Sequence, residues 1–394
     1  MKNKIELMAP AGSFPTLVAA VNAGADAVYF GLKEFSMRAS AKNFTIKDLK
    51  KINEICGKKV KKYLTLNVIV YDKEISKLEK TIKAVKGKVD AIICWDPAVI
   101  QLCKKYKISF FISTQASVSN SEAAKFYKKL GAKRVVLARE LNLKQIKKIS
   151  KIIPVETFCH GAMCVSISGR CFTSQFLFNK SANRGQCLHP CRRSYLVKDK
   201  QEGHELELKH DKVMSAKDLC TLPFIEKLKK AGITSFKIEG RGRDARYVQT
   251  VTSIYRKALD KKLTKKELEE LLKELNKVYN KGFSSGFYLG LPTSDDFAIK
   301  EHSSSTEKKH FIGKVLHYFP KPNVATIKVS SQVKVGDKLT IIGNTTGIEN
   351  MQLESMQAHN KEILEAKKGD EIGIKLPKNL RARKNDEIYK IVSN

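Results

Sequence analysis

Eight short apolar runs, each followed by an amphipathic stretch, constrain the fold of this chain most. The runs cover residues 5–8, 26–30, 63–70, 90–94, 109–113, 134–138, 154–158 and 235–239. Runs of this length are typical of buried parallel strands, and the stretches after them, such as 46–56, 75–85, 119–129 and 142–151, have helical spacing. Eight strand–helix repeats predict an α/β fold, a TIM-like (β/α)8 barrel. An open doubly wound sheet is the competing prediction, but residues 10–13 lack its glycine-rich phosphate loop.

The seventh repeat carries a long insertion. The helical pattern that follows its strand covers residues 219–231, so residues 159–218 are predicted to be inserted. Insertions of this length are usually functional. An amphipathic helix is predicted at 260–279, and a glycine-rich connector follows at 281–300.

The last part of the chain has a different pattern. Short strands are predicted at 311–318, 324–330, 338–342, 371–375 and 387–392, separated by polar turns. We therefore predict a barrel-like catalytic domain over residues 1–300 and a small C-terminal all-β barrel over residues 301–394.

The cysteines fall into two groups. Four are isolated in or beside apolar segments and are interpreted as buried thiols: Cys56, Cys94, Cys103 and Cys159. Four others lie in the insertion with the spacing C-x6-C-x15-C-x3-C: Cys164, Cys171, Cys187 and Cys191. Four thiols in one insertion predict a metal centre, and the loose spacing favours an iron–sulfur cluster over zinc without excluding zinc. Cys220 follows on an apolar helical stretch and is interpreted as a packed thiol.

Polar residues follow the predicted strands at the end of the barrel where active sites form. They are Asn67, Asp96, Gln115, Arg139, Glu140, His160, Glu239 and Arg241. The candidate catalytic residues are His160, Glu156 and Arg139. The candidate substrate-binding residues are Asn67, Gln115, Lys237, Glu239 and Arg241. His160 suits proton transfer near neutral pH, or else the orientation of a neighbouring group, and the cations at 139, 237 and 241 can bind a carboxylate.

The charge of the chain points to a polyanionic partner. Lys and Arg number 74 against 40 Asp and Glu, a formal net charge of +34. Such a surface favours RNA, although a general lysine-rich composition is the alternative explanation. No apolar run is long enough to span a bilayer, and the N-terminus has no secretory pattern, so a cytoplasmic location without membrane association is expected.

Segment 156–174 carries a family signature. It has the pattern Glu-x-Phe-x-x-Gly-Ala-Met-Cys-x4-Gly-x-Cys-x-x-Ser, and supporting motifs lie at 8–12, 24–31, 113–116, 135–140 and 236–241. The pattern resembles that of peptidase family U32, the collagenase-like peptidases. The resemblance covers about residues 5–290 and extends to the C-terminal strands. Thr173 departs from the aliphatic residue expected at its position, which affects packing alone.

The resemblance is closest to the branch of the family that hydroxylates the tRNA wobble uridine. It implies a tRNA partner, formation of 5-hydroxyuridine and prephenate as the co-substrate. It also implies a 4Fe–4S cluster on Cys164, Cys171, Cys187 and Cys191. Some relatives take one ligand from a later position, so Cys220 in place of Cys191 stays open. Hydroxylation of rRNA is a further activity within the family.

Proteolysis is the main alternative activity. The sequence has neither a GxSxG elbow nor an HExxH helix. Cys164 or Cys171 beside His160 would imitate a Cys–His pair, but four cysteines at metal spacing indicate that these thiols are occupied. The residues thus favour RNA modification over a collagenase-like peptidase or a non-catalytic RNA-binding protein. The oligomeric state is left open.

Overall fold

A computed structural model of the chain describes residues 5–38, 42–193, 195–208, 214–298 and 303–394. The strands before residue 299 are β1 Glu6–Ala11, β2 Ala27–Gly31, β3 Lys61–Thr65, β4 Ala91–Cys94, β5 Phe110–Ile112, β6 Arg134–Val136, β7 Val155–Gly161, β8 Tyr195–Lys198, β9 Glu205–Leu208, β10 Asp218–Cys220, β11 Ser235–Ile238 and β12 Phe283–Ser284. Strands β1 to β7 and β11 pair in parallel and form a closed ring, because β11 pairs with both β1 and β7. The predicted TIM-like barrel is therefore confirmed.

Helices cover the outside of this ring, except α7 (Thr173–Phe178), which lies in the insertion. They are α1 Phe14–Asn22, α2 Leu49–Cys56, α3 Ile75–Val85, α4 Pro97–Lys105, α5 Ser121–Leu130, α6 Leu143–Ile149, α7 Thr173–Phe178, α8 Ile225–Lys230, α9 Ala245–Asp260 and α10 Lys265–Lys277. Several begin at a residue whose side chain accepts a hydrogen bond from a free backbone N–H, as Asn120, Asn142 and Asp244 do. The apolar faces of the helices and the outward side chains of the strands form one large core.

The predicted helix at 219–231 is wrong at its start. Residues Asp218–Cys220 form β10, which runs antiparallel to the end of β7, with Leu219 opposite Gly161 and Cys220 opposite His160. The helix itself begins at Ile225, after Pro223. Periodicity alone cannot distinguish a short apolar strand from the start of the helix that follows it.

The C-terminal part is all-β, as predicted. Its strands are β13 Glu307–Phe319, β14 Val324–Val329, β15 Val333–Lys334, β16 Lys338–Gly343, β17 Gly347–Gln352, β18 Met356–Ala358, β19 Lys361–Ile363, β20 Glu365–Ala366, β21 Glu371–Lys375 and β22 Glu387–Ser393. Eight of them form an antiparallel sheet in the order β17-β16-β22-β13-β14-β21-β18-β19 around a separate core. Ile342 and Ile348 join the core of the barrel, next to α1 and α9. The predicted domain boundary at 300 and 301 lies outside the described residues.

The insertion between β7 and β10 lies over the C-terminal end of the barrel. Beside α7 and the β8–β9 ribbon, it contains three short 3-10 helices at Ile167–Gly169, Ala182–Arg184 and Pro190–Arg192. Arg170 donates to the Gln115 carbonyl (2.8 Å), and Ser117 donates to the Ser168 hydroxyl (2.9 Å). Arg184 forms an ion pair with Glu74. These contacts fix the insertion to the loops that follow β3 and β5.

Among the described residues, no helix combines the length and the apolar character needed to cross a membrane.

Candidate active site

A cavity of about 640 Å³ lies between the mouth of the barrel and the insertion. Most of the predicted site residues line it together: Asn67, Gln115, Arg139, Glu140, Cys164, Cys171, Cys187, Cys191, Lys237, Glu239 and Arg241. They come from four barrel strands or their following loops and from the insertion, because the carboxyl ends of parallel barrel strands meet at one face. Three predicted residues, Asp96, Glu156 and His160, do not line the cavity.

Arg38 and Glu239 form an ion pair in the wall of this cavity. Arg38 Nη2 donates to Glu239 Oε1 at 2.9 Å. The charge of Glu239 raises the pKa of Arg38. Burial opposes the ionisation of Glu239, but the cations Arg38, Arg139 and Arg243 together outweigh it, and the pKa of this carboxyl is lowered. The carboxylate therefore stays charged at neutral pH, and its charge is already compensated within the protein.

Arg241 is a buried cation with unused hydrogen-bonding capacity. Its side chain is 3% exposed, and Nη1 donates to Thr65 Oγ1 at 2.5 Å, whereas Nε and Nη2 have no partner within the described residues. Burial lowers the pKa of Arg241 to about 10, which still leaves it charged at neutral pH. A buried guanidinium with two unpaired donor atoms is suited to bind an anion that enters the cavity.

Gly12 and Gly31 lack side chains at positions where Arg241 occupies the adjoining space. A Cβ at Gly12 would lie 2.0 Å from the Arg241 carbonyl oxygen, and one at Gly31 would lie 2.9 Å from Arg241 Nη1 and 2.3 Å from Ser36 Oγ. Both glycines belong to the segments 8–12 and 24–31 that matched the family pattern. Glycine is thus explained at these two positions of the motifs, because the backbone there passes too close to Arg241 and Ser36 to leave room for a side chain.

A chain of ion pairs lies deeper in the barrel. Lys237 Nζ lies 2.9 Å from Glu156 Oε1, and Glu156 Oε2 lies 3.2 Å from Arg134, which also pairs with Glu6. Burial lowers the pKa of Lys237, although Glu156 opposes the shift. Glu156 is fully buried below Lys237, so it contacts the cavity residue and not the cavity itself.

His160 lies on the outer side of the barrel wall. Its ring packs against Tyr247, Tyr255 and Phe283. Burial lowers its pKa to about 3, so the imidazole is neutral at physiological pH. Since His160 does not line the cavity, its predicted catalytic role gains no geometric support and stays a prediction. Alternation along β7, with a bulge next to Lys237 and Ile238, sets the direction of each side chain.

Two amides, those of Asn67 and Gln115, form a polar patch in the wall of the cavity. Asn67 Nδ2 donates to Gln115 Oε1 at 3.4 Å, and Asn67 Oδ1 accepts from the Met37 N–H at 3.2 Å. The Ser113 hydroxyl also donates to Gln115 Oε1. These amides are nearly buried and held in place, so they can present fixed donors and acceptors to a planar polar ligand.

The four insertion cysteines line the wall that faces the barrel. Cys164 is exposed, and the other three are half-buried. Burial raises the pKa of the Cys191 thiol, Arg192 opposes this shift, and the charges of the other three thiols add to it. The other three thiols therefore lie within electrostatic range of Cys191.

Hydroxyl groups accompany the insertion thiols. Ser166 Oγ lies 3.0 Å from Cys164 Sγ, Thr173 Oγ1 lies 3.1 Å from Cys171 Sγ, and Ser174 donates to Cys187 Sγ at 3.9 Å. Within the described part of the chain, no three His, Cys, Asp or Glu side chains stand close enough to hold a single metal ion. A cluster places its thiolates farther apart than one ion does, because each thiolate binds a different iron.

Cys220 lies apart from these thiols. It is 3% exposed in β10, accepts a hydrogen bond from Tyr255 at 3.8 Å and does not line the cavity. Burial raises its pKa to about 11, which is expected of an inert packed thiol.

Several cavity residues were missed by sequence reasoning. Arg38 and His189 lie in loops, where no strand or helix period predicts the direction of a side chain, and Arg192 ends the 3-10 helix Pro190–Arg192. Arg192 donates to the Met163 carbonyl at 3.3 Å, so it ties two parts of the insertion together. Arg192 follows Cys191 directly and was recognisable from the sequence as a cation beside the cysteines, whereas no signal existed for Arg38.

Comparison with known proteins agrees with the signature at 156–174. The model of peptidase family U32 matches residues 12–297. The chain belongs to this family. A collagenase of Porphyromonas gingivalis is 40% identical over 408 residues, which cover 98% of each chain. The tRNA hydroxylation protein P1 of Bacillus subtilis is 35% identical over 354 residues, 86% of this chain and 84% of the relative. The 23S rRNA 5-hydroxycytidine synthase of Escherichia coli is 38% identical over 264 residues, 66% of this chain and 40% of the relative.

Proposed function

We propose that this U32 protein is an iron–sulfur enzyme that hydroxylates tRNA uridine and forms 5-hydroxyuridine at the wobble position. One observation carries the proposal: four cysteine thiols and an unpartnered buried arginine line the same cavity. A metal cluster and an anionic co-substrate can therefore bind next to each other in the same cavity. The Bacillus subtilis relative, named as a tRNA hydroxylation protein, supports RNA as the substrate.

Cys164, Cys171, Cys187 and Cys191 are the residues that would hold a 4Fe–4S cluster. Such a cluster supplies electron-transfer or Lewis-acid chemistry at the wall of the cavity when it is bound. The surrounding protein supports four thiolates in two ways. The hydroxyls of Ser166 and Thr173 lie beside two of the sulfurs, and the guanidinium of Arg192 offsets negative charge at Cys191.

Arg241 is the residue that would bind the carboxylate of a co-substrate such as prephenate. Its Nε and Nη2 atoms have no protein partner in the described structure, and a carboxylate accepts two parallel hydrogen bonds from a guanidinium. Arg139 is held in place by the Ala162 carbonyl (2.8 Å) and the ring of Phe158, and Lys237 adds a second buried cation. Together they favour an anionic co-substrate over a neutral one.

The amides of Asn67 and Gln115 would bind the nucleobase. Uracil presents two carbonyl acceptors and one N–H donor on its edge, and side-chain amides offer both kinds of group. A base stacked within a duplex cannot reach a cavity covered by an insertion, so the nucleotide must be unpaired or extruded from its helix. The anticodon loop presents its bases unpaired, which agrees with a wobble-position substrate.

A collagenase-like peptidase is the second candidate, because the Porphyromonas gingivalis relative is named as a collagenase and aligns along 98% of both chains. A cysteine peptidase needs a thiol hydrogen-bonded to a general base. Across the described ranges, no cysteine thiol forms a hydrogen bond with a histidine ring. Hydroxylation of rRNA is a third candidate, supported by the named activity of the Escherichia coli relative.

Mass spectrometry of tRNA nucleosides from a gene-deletion strain tests the proposal. We expect 5-hydroxyuridine and its derivatives to disappear and to return with the wild-type gene. The Arg241→Met gene should leave the modification absent, whereas the distant exposed variant Phe126→Ala should restore it. Unchanged hydroxyuridine in the deletion strain would rule out tRNA hydroxylation. In that case, release of peptides from denatured collagen by the purified protein would select the second candidate. Loss of hydroxycytidine from rRNA in the deletion strain would select the third.

A further inference from the structure

The insertion exposes apolar side chains around the mouth of the cavity. Those that are 46–82% exposed are Val165, Ile167, Phe172, Phe176, Leu177, Leu188 and Leu196. Phe176 has the largest exposed fraction of these, and it also lines the cavity. Large exposed apolar patches on a folded protein mark interaction sites, since exposure of so many rings and chains is otherwise unfavourable.

Two of these rings form an aromatic rim, defined here as Phe172 and Phe176. The two residues lie one helical turn apart, at the start of α7 and within it. Their ring centroids are 6.0 Å apart, and the planes differ by 33°. The faces of these rings are open to solvent beside the cavity, so flat groups can stack on them.

The segment that carries the aromatic rim contains charges of one sign, although Arg184 is paired with Glu74 of the barrel. Residues 161–198 contain no Asp or Glu, and the Lys and Arg residues among them are Arg170, Lys180, Arg184, Arg192, Arg193 and Lys198. Guanidinium groups lie over aromatic rings at three places: Arg193 over Phe178 at 4.7 Å, Arg184 over Tyr71 at 5.0 Å and Arg170 over Trp95 at 5.4 Å. The segment therefore combines planar apolar faces with positive charge and lacks carboxylates that would repel phosphate.

This combination favours single-stranded RNA over other partners. Unpaired bases stack on aromatic rings while their phosphates pair with nearby cations, whereas duplex RNA hides the faces of its bases. A membrane-binding helix needs a long amphipathic surface, and α7 has six residues. A protein partner would bring no general reason for the absence of acidic residues over the whole segment.

We infer, on the basis of the proposed function, that the aromatic rim stacks the unpaired nucleotides that flank the base bound in the cavity. Phe176 holds the nearer neighbour, because it belongs to both the rim and the cavity wall. Phe172 extends the stack by one more ring. The insertion then determines the preference for a single-stranded loop over a duplex. The residues at the mouth of the barrel recognise the base that enters the cavity.

Fluorescence anisotropy of the full chain with a fluorescein-labelled decauridylate tests this role. Phe176→Ala should weaken binding by about tenfold, and Phe172→Ala by a smaller factor. The slope of affinity against salt concentration should stay that of the wild type, because no phosphate contact is lost. Arg193→Gln should instead reduce that slope. Phe126→Ala is the matched control: Phe126 is 62% exposed, as Phe172 is, but lies on α5, and its loss should leave binding unchanged.

Wild-type affinity in Phe176→Ala would overturn the stacking role, and so would equal binding of a duplex of the same sequence. Sedimentation with vesicles of equal parts phosphatidylglycerol and phosphatidylcholine covers the membrane alternative. Loss of vesicle binding in Phe176→Ala, with unchanged decauridylate binding, would also overturn it. The nucleoside analysis of the deletion strain reads out hydroxylation separately. If hydroxyuridine depends on the gene while Phe176→Ala binds normally, the stacking role fails and the proposed function stands.

Discussion

Arg38 and Glu239 join the loop after β2 to the end of β11 through an ion pair of 2.9 Å. The two residues are far apart in the sequence, and their strands β2 and β11 lie on either side of β1 in the ring, so the pair links the second and last repeats of the barrel. Glu239 is 10% exposed in its side chain and Arg38 is 40% exposed. The mouth of the cavity is thus held by a contact that is partly screened by solvent.

Arg38→Ala should destabilise the protein by about 1–2 kcal/mol, between the values for surface and buried pairs, because it leaves a nearly buried carboxylate without its partner. Chemical unfolding at neutral pH measures this change. The pKa of Glu239 is lowered in the fold, so the contribution is present above the ordinary value of 4.5 and is lost as the pH falls through the folded value. The wild type and the variant should therefore converge in acid.

Lys77→Ala is the matched control, since Lys77 and Glu34 form an ion pair of 2.6 Å with both side chains at least half exposed. It should change the stability by less than about 0.5 kcal/mol. A loss in Arg38→Ala no larger than this would show that the pair at the mouth contributes nothing to the fold.

Arg241→Met should cost activity without costing stability. The guanidinium is buried with two unpaired nitrogens, so its removal relieves a desolvation penalty, and we expect an unchanged or higher free energy of unfolding. Prephenate should raise the melting temperature of the wild type and not that of the variant.

Arg134→Met is the contrasting variant. Arg134 pairs with Glu6 and with the fully buried Glu156, so its loss should destabilise the fold by about 3–5 kcal/mol. If Arg241→Met were as destabilising as Arg134→Met, Arg241 would be a structural residue and the anion site would be lost from the proposal.

The sequence predicted the barrel because its strands are buried on both faces and read as continuous apolar runs, such as Ala91–Cys94 and Phe110–Ile112. It also brought Asn67, Gln115 and Arg241 together, since the ends of barrel strands share one face. In the C-terminal part, β17 and β19 carry polar residues such as Glu349 and Glu362 that interrupt their apolar pattern, and they escaped detection.

The direction of side chains at the end of β7 could not be predicted. His160 and Lys237 both stand at strand ends, yet Lys237 lines the cavity and His160 faces the outer helices. The register between β7 and β11 shifts at this point, so simple alternation fails there. Arg38 was missed for a related reason: its place in the cavity depends on a loop and not on any periodic element.

Cysteine substitutions should separate the predicted cluster ligands from packed thiols. Cys171→Ser and Cys187→Ser should lose most of the iron and acid-labile sulfide from anaerobically purified protein, because each thiolate is expected to bind one corner of the cluster. Cys191→Ser should behave in the same way. Cys220→Ser should keep the wild-type content, since Cys220 is buried beside Tyr255 and away from the cavity.

Iron and sulfide assays, together with the visible absorption of the cluster, measure the outcome. Full iron content in Cys191→Ser together with loss of iron in Cys220→Ser would show that Cys220 is the cluster ligand and Cys191 is not. One equivalent of zinc without iron in the wild type would replace the cluster by a single-ion site.

His160 should make the protein sensitive to acid. Its folded pKa is lowered to about 3 by burial, below the ordinary value of 6.5, so its contribution to stability is complete above pH 6.5 and is lost as the pH falls toward 3. From pH 7 to pH 5 the unfolded state gains about 2 kcal/mol from protonation of this histidine. His160→Gln should lower the stability at pH 7 through lost ring contacts but should lack this part of the acid slope.

Urea unfolding at pH 7, 6 and 5 measures the difference between the wild type and His160→Gln. The buried Asp218 works in the opposite direction, since burial raises its pKa to about 6, but it is present in both proteins and cancels in the comparison. His204→Gln is the control, because His204 is 79% exposed and should leave the slope unchanged. Parallel curves for the wild type and His160→Gln would show that His160 is protonated in the fold, and hence that it is open to solvent or to the cavity.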